Sequence, residues 1–195
     1  KNCLIIGSDV YSRILNWKDR TTCCIFGDGA GAVVLSKDES KKGILSYNYG
    51  AKGEDAELIK IHVGGSNNPT HHEKNYSRED YFFQMNGLDV YEFTIMTVPA
   101  VVEDLIEKAG LQKDDVDWVV LHQANIRIIE SVAKKTKIPL EKFIVNIQKV
   151  GNTSSASIPL ALDEAVKQGK IKDGQKIIMV GFGGGLSWGG VLIEW

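Results

Sequence analysis

Apolar and polar positions fall in blocks along this chain. The clearest block is Trp118-Val119-Val120-Leu121, which runs straight into His122-Gln123-Ala124-Asn125. A short apolar run that empties into polar residues is the pattern of a buried strand delivering side chains to a site at its carboxyl end. The pattern recurs at residues 143–147, ahead of Gly151-Asn152-Thr153-Ser154-Ser155-Ala156-Ser157, and at 177–180, ahead of Gly181-Phe182-Gly183-Gly184-Gly185. Between these runs the apolar positions step by three and four. Ile126, Ile129, Val132 and Ala133 predict one helix face, and Ile158, Leu162, Ala165 and Val166 predict another. Strand, helix, strand, helix, strand predicts an α/β sheet with helical cover. We expect the three loops to converge on one site, with His122 and Asn152 as its polar pair.

The first half is more broken. Residues 3–6 read as a strand buried on both faces. They follow directly on Lys1-Asn2 with no lead-in, so further sequence is expected upstream. A short helix is expected over 11–17, and a β-branched and apolar run over 21–26. Gly27-Asp28-Gly29-Ala30-Gly31-Ala32 interrupts that run before 33–35 resume it. Glycines inside a strand pattern mark a bulge or a close backbone approach. A phosphate cradle fits less well, because a strand rather than a helix follows. A charged turn at 37–42, strands at 43–48 and 58–63, and a polar surface loop over 64–80 come next. Residues 81–85 are again apolar. From Leu88 the positions Val90, Phe93, Thr94, Thr97, Val101, Leu105 and Ile106 predict a helix that Pro99 should kink or divide. The last strand is expected over 190–195.

Composition adds limits. The chain has 195 residues, 43% of them hydrophobic and 25% charged, with a net charge of -2, which gives no bulk electrostatic case for nucleic acid. No apolar run approaches the ~18 residues of a membrane span, and no signal peptide is expected before the first strand. Cys3, Cys23 and Cys24 are an odd count in apolar, strand-like runs, so a reduced, cytoplasmic chain is expected. No metal site is expected, since His71 and His72 are adjacent and point apart.

Each candidate residue has two readings. His122 is either a satisfied histidine after a strand or a donor to a carbonyl oxygen that becomes an enolate. Asn152 is either a turn residue beside Gly151 or a non-titrating oxyanion donor. Gly183-Gly184-Gly185 reads first as a hairpin turn, and second as a backbone able to approach a ligand. None of the cysteines sits at a helix N-terminus or beside a base, so none reads as a nucleophile.

Taken together, Phe26-Gly27-Asp28-Gly29-Ala30-Gly31-Ala32, His122-Gln123-Ala124-Asn125, Gly151-Asn152-Thr153-Ser154-Ser155-Ala156-Ser157 and Phe182-Gly183-Gly184-Gly185-Leu186-Ser187-Trp188-Gly189 closely resemble the β-ketoacyl-acyl-carrier-protein synthase III family of condensing enzymes. The resemblance covers nearly the whole chain and is weakest over 64–80. It implies a thiolase-like fold, layered α-β-α-β-α, with mixed sheets under helical cover. Residues 1–43 would end the first of two similar halves, and 44–195 would form the second. It implies an acyltransferase with a Cys-His-Asn set, in which His122 and Asn152 supply the His and Asn. The Cys motif precedes the strand at 3–6 and is absent here, so the chain alone is expected to form no acyl-enzyme. The resemblance also assigns the backbone N–H of Gly184 to an oxyanion hole. It places Arg20, Ala124, Asn125, Arg127 and Phe182 along the tunnel for the pantetheine arm of CoA, and Arg127, Lys134 and Lys135 in a patch for the carrier protein. Leu88 and Tyr91 stand where family members often have Asn and Phe. The implied partners are acyl-CoA and malonyl-acyl carrier protein as substrates, with no cofactor, in a homodimer that contacts neither nucleic acid nor membrane. The rival readings are a related condensing enzyme of secondary metabolism and a non-catalytic binding or dimerisation module of the same fold.

Overall fold

The computed structural model describes residues 2–37, 43–71 and 75–195. In chain order the strands are β1 (Asn2–Asp9), β2 (Gly29–Ser36), β3 (Gly43–Ala51), β4 (Ile59–Ile61), β5 (Phe83–Met85), β6 (Trp118–Leu121), β7 (Lys176–Gly183) and β8 (Ser187–Glu194). The helices are α1 (Gly87–Lys108), α2 (Ile126–Thr136), α3 (Ile147–Val150) and α4 (Ser157–Lys167).

A four-stranded mixed sheet, ordered β3-β8-β7-β6, forms the centre, with β6 and β7 parallel and the other pairs antiparallel. β6 shows why it is apolar at every position. Val119 and Leu121 pack into one core with Val98, Val102, Leu105, Ile129 and Val132 of α1 and α2. Val120 points the other way, into a second core with Ala161, Leu162 and Ala165 of α4. Burial on both faces removes the polar half of the usual alternation. β1 and β2 form a separate antiparallel pair, and β2 packs on the far side of α4. The described residues thus stack as helix layer, sheet, helix, sheet.

β1 forms as expected, and Leu4, Ile5 and Ile6 are exposed in this stretch of chain. Several expectations need correction. The helix over 11–17 is only a 3-10 turn at Tyr11–Arg13. Residues 21–25 form turns, so Cys23 and Cys24 do not lie in a strand. There the Asp19 carboxylate accepts from the Thr21 N–H and from the Thr21 and Thr22 hydroxyls, and the Asp19 carbonyl accepts from the Thr22 and Cys23 N–H groups. A local Asx turn outcompetes the β-branched run.

Pro99 does not divide α1, which is continuous through 22 residues. The carbonyl of Ile95, four residues earlier, loses its helical partner to the proline and instead accepts from Lys135 Nζ of α2 at 2.9 Å. Residues 143–147 are not a strand. Phe143 makes a single parallel bridge to Val119, and Ile147 already begins α3. β7 runs on to Gly183 and β8 starts at Ser187, so both exceed the expected 177–180 and 190–195. Residues 38–42 of the expected charged turn, and His72, lie outside the described residues.

Candidate active site

The three polar loops do meet. His122, Ala124, Asn152, Phe182, Gly183 and Gly184 all line one cavity of about 750 Å³. The rest of its wall is rich in aromatic rings. Tyr11 stacks on Phe26 with centroids 4.6 Å apart, and Phe83 meets both edge-on at 5.2 and 4.8 Å. None of the three cysteines is a lining residue.

His122 sits one residue past β6, where its backbone N–H still bonds the Val180 carbonyl at 2.8 Å. The strand therefore fixes its Cα while the imidazole reaches the cavity. The ring packs edge-on against Phe182, centroids 5.0 Å apart. It is half-buried by surface, with one edge on the cavity wall, yet the surrounding packing desolvates it enough to push its pKa down to about 4. Burial disfavours the imidazolium. At neutral pH the ring is uncharged and offers one N–H donor.

Asn152 is 6% exposed and anchored at three of its four polar groups. Its backbone N–H bonds Ile25 O at 2.9 Å, and its carbonyl accepts from Gly27 N at 2.9 Å. Its side-chain oxygen accepts from Ser154 N at 2.9 Å. That last bond settles which end of the amide is which. The NH2 has no hydrogen-bond partner among the described residues and belongs to a residue of the cavity wall. Gly151 makes this possible: with φ at 69° it turns the chain tightly against Ile25 and Gly27. Ser154 itself takes a positive φ of 50°.

Gly184 begins the tight β7–β8 turn, and its carbonyl accepts from Ser187 Oγ at 2.9 Å. The hairpin reading holds, and Gly183 and Gly184 of the same turn line the cavity.

The remaining candidates separate. Ala124 and Phe182 line the cavity, whereas Arg20, Asn125 and Arg127 do not. Arg20 is exposed in the turn after Asp19. Asn125 is the N-cap of α2, its side-chain oxygen accepting from Arg127 N at 2.9 Å, as Asn does at a helix start. Arg127, Lys134 and Lys135 are all exposed on α2, but Lys135 Nζ is drawn onto Ile95 O and Met96 Sδ. Of the two α1 positions, Leu88 is exposed, and the Tyr91 hydroxyl lies 2.9 Å from Ser131 Oγ.

The sequence reading missed much of the aromatic wall, including Tyr11, Tyr47, Tyr49 and Phe83. No local signal marks them, because distant strands bring them together. Phe83 N, for example, bonds Ile14 O at 2.9 Å. Among the described residues, no group of three or more His, Cys, Asp or Glu is placed to hold a metal ion, and no helix is long and apolar enough to cross a membrane.

The chain also matches known proteins. Residues 106–195 match the family described as 3-Oxoacyl-[acyl-carrier-protein (ACP)] synthase III C terminal, and residues 1–53 match 3-Oxoacyl-[acyl-carrier-protein (ACP)] synthase III. A protein of Fusobacterium nucleatum named beta-ketoacyl-acyl-carrier-protein synthase III is 46% identical over 195 residues, which are all of this chain and 59% of that protein. The crystal structure of 3-oxoacyl-acyl-carrier-protein synthase III from Aquifex aeolicus superposes with a TM-score of 0.88 at 42% identity, covering 100% of this chain and 58% of that one. The corresponding Thermus thermophilus structure gives 0.90 at 36% identity, covering 100% and 59%. The chain thus spans about 59% of the length of these relatives. The fold is thiolase-like.

Proposed function

The chain belongs to the 3-oxoacyl-acyl-carrier-protein synthase III family, and from that premise we propose that it is the carboxyl-terminal part of a decarboxylative condensing enzyme that initiates type II fatty-acid synthesis. The observation that carries this reading is the donor pair lining one cavity, an uncharged His122 imidazole and an Asn152 amide anchored everywhere but at its NH2. Neither donor needs to reorganise or change charge when an oxyanion forms, which is the condition for electrostatic stabilisation of a transition state. A neutral histidine acting as an electrophile is a known solution for enolate chemistry.

In the intact enzyme a cysteine from sequence before β1 attacks the thioester carbonyl of an acyl-CoA. CoA leaves as its thiol, and an acyl-cysteine thioester remains. Malonyl-acyl carrier protein then places its thioester oxygen between His122 and Asn152. The bond to the malonyl carboxylate breaks, CO2 departs, and the electron pair becomes an enolate whose oxygen the two donors hold. The enolate carbon attacks the acyl-cysteine carbonyl. The backbone N–H of Gly184 steadies the new oxyanion, the carbon–sulfur bond breaks, and β-ketoacyl-carrier protein is released. Ala124 and Phe182 flank the pantetheine arm, with Arg20, Asn125 and Arg127 further out along it. Arg127 and Lys134 meet the acidic carrier protein, with Lys135 contributing what its bond to Ile95 leaves. Residues 1–43 complete the first thiolase-like half and 44–195 form the second, a division supported by the change from one sheet to the other at Gly43. The enzyme works as a cytoplasmic homodimer without cofactor or metal.

The test separates the half-reactions in the full-length protein. His122→Ala should cut malonyl decarboxylation by on the order of 10²-fold or more while acylation of the cysteine by acyl-CoA stays nearly unchanged. Equal loss of both would remove His122 from the assigned role.

A further inference from the structure

Gln123 stands between the two proposed donors in the chain's architecture, and nothing in the reaction above uses it. It is completely buried, next to His122. Its Nε2 donates to Leu121 O at 2.8 Å and to Ile144 O at 3.2 Å, and its Oε1 accepts from Asn146 N at 3.0 Å. These partners have a particular geometry. A residue in a parallel ladder donates its N–H to one residue of the neighbouring strand and accepts from the N–H two positions further on. Ile144 O and Asn146 N are such a pair, and a side-chain amide takes both.

The backbone does not do this job. β6 and the 143–146 segment share a single bridge at Val119 and Phe143, with Ile144 N on Val119 O at 2.9 Å, and then β6 ends. From Asn146 the chain runs through α3 to Gly151 and Asn152. Among the described residues, the Gln123 amide therefore makes the last hydrogen bonds between the segment that carries His122 and the segment that leads to Asn152. Buried amide bonds of this kind are costly to leave unpaired, so they hold their partners in one arrangement.

We propose that Gln123 is a positioning residue for the condensation, fixing His122 and Asn152 at the separation that lets both reach one oxyanion. This rests on the condensing-enzyme reading above. Displacement of a catalytic group by about 1 Å can cost on the order of 10²-fold in rate. The step affected is the one that needs both donors.

The experiment assays the two half-reactions of the full-length protein with Gln123→Met and Gln123→Glu, beside His122→Ala. Gln123→Met keeps the volume and removes all three bonds. It should lower kcat for malonyl-carrier decarboxylation by about ten-fold or more, while cysteine acylation and KM for acyl-CoA stay within about two-fold. Gln123→Glu faces two carbonyl oxygens and can donate only when protonated. Its decarboxylation rate should fall with rising pH over a range in which the parent enzyme is flat. If Gln123→Met folds and decarboxylates within about two-fold of the parent, the proposal is wrong. If Gln123→Met does not fold, the glutamate profile decides, and a profile parallel to the parent overturns it. A loss in His122→Ala without a loss in Gln123→Met refutes the positioning role alone. Full decarboxylation by His122→Ala refutes the condensing-enzyme reading beneath it.

Discussion

At the scale of single residues, the fold has committed itself to an uncharged His122. The unfolded imidazole titrates at its ordinary 6.5, while the folded one holds out until about 4. Between those values the unfolded chain binds a proton that the folded chain refuses. Stability therefore falls as pH drops through that window, and the loss is complete below about 4. At ~1.4 kcal/mol per pH unit the window from 6.5 to about 4 sets a ceiling of about 3.5 kcal/mol, lowered because the ring edge meets the cavity. Urea midpoints at about pH 7 and about pH 4.5 should differ more for the parent chain than for His122→Gln, which has nothing to titrate. Equal shifts would show that the ring is not desolvated.

Asn152 shows the other side of residue-scale legibility. Its motif was readable, because Gly151 and the hydroxyl residues after it advertise a turn into a helix. That its oxygen is spent on Ser154 N, leaving only the NH2, could not be read, because it depends on where the backbone of the turn comes to rest.

At the scale of elements, Lys135 and Pro99 act as one unit across the α1–α2 contact. Lys135→Met should destabilise the protein by about 1 kcal/mol, the worth of a charged hydrogen bond near the surface. In a Pro99→Ala background position 99 regains its N–H, Ile95 O recovers its helical partner, and the same substitution should cost less. Chemical denaturation of the four proteins measures the coupling directly, and additive effects would mean that the lysine does not serve the proline's orphaned carbonyl. This pair also explains why Pro99 does not divide α1. The periodicity of α1 was correct, and the missing information was a side chain 36 positions away that satisfies the freed group (135 against 99). The two mistaken strands have the same origin. Residues 21–26 and 143–147 have strand-like composition, but Asp19 claims the first and Gln123 takes the ladder partners of the second. Composition reports what a segment favours in isolation, and a polar side chain from elsewhere can change the outcome.

At the scale of the whole molecule, the β1–β2 pair and the turn before α4 meet backbone to backbone. A methyl group on Gly7 would overlap the carbonyl of Ser155, and one on Gly27 would overlap the carbonyl of Val150. Asp9 adds to the joint by accepting from Ser155 N at 3.1 Å and Ser155 Oγ at 2.5 Å. Gly7→Ala should therefore lower stability by about 2 kcal/mol. Gly53→Ala, with open space around it, should change it by less than about 0.5 kcal/mol. Differential scanning calorimetry of both variants checks the contrast, and similar melting temperatures would deny the close approach. The glycine interruptions from Gly27 to Gly31 were legible as close approaches, but the surfaces they approach were not, since Val150 lies 123 positions from Gly27 (150 against 27).

That joint has a consequence for what the cavity admits. Tyr11 and Phe26 from the first part of the chain and Asn152, Ser154 and Ser155 from the second line the cavity side by side, with Phe26 bridged to Asn152. Main chains in direct contact cannot slide past one another without first separating, so the vessel has a fixed bore along this seam. Guests of different girth would then be sorted by which side chains line the wall and hardly at all by breathing of the walls themselves. Retuning such a mould calls for trimming rings such as Tyr11 or Phe83. Loosening the scaffold would spoil the fit of every guest alike.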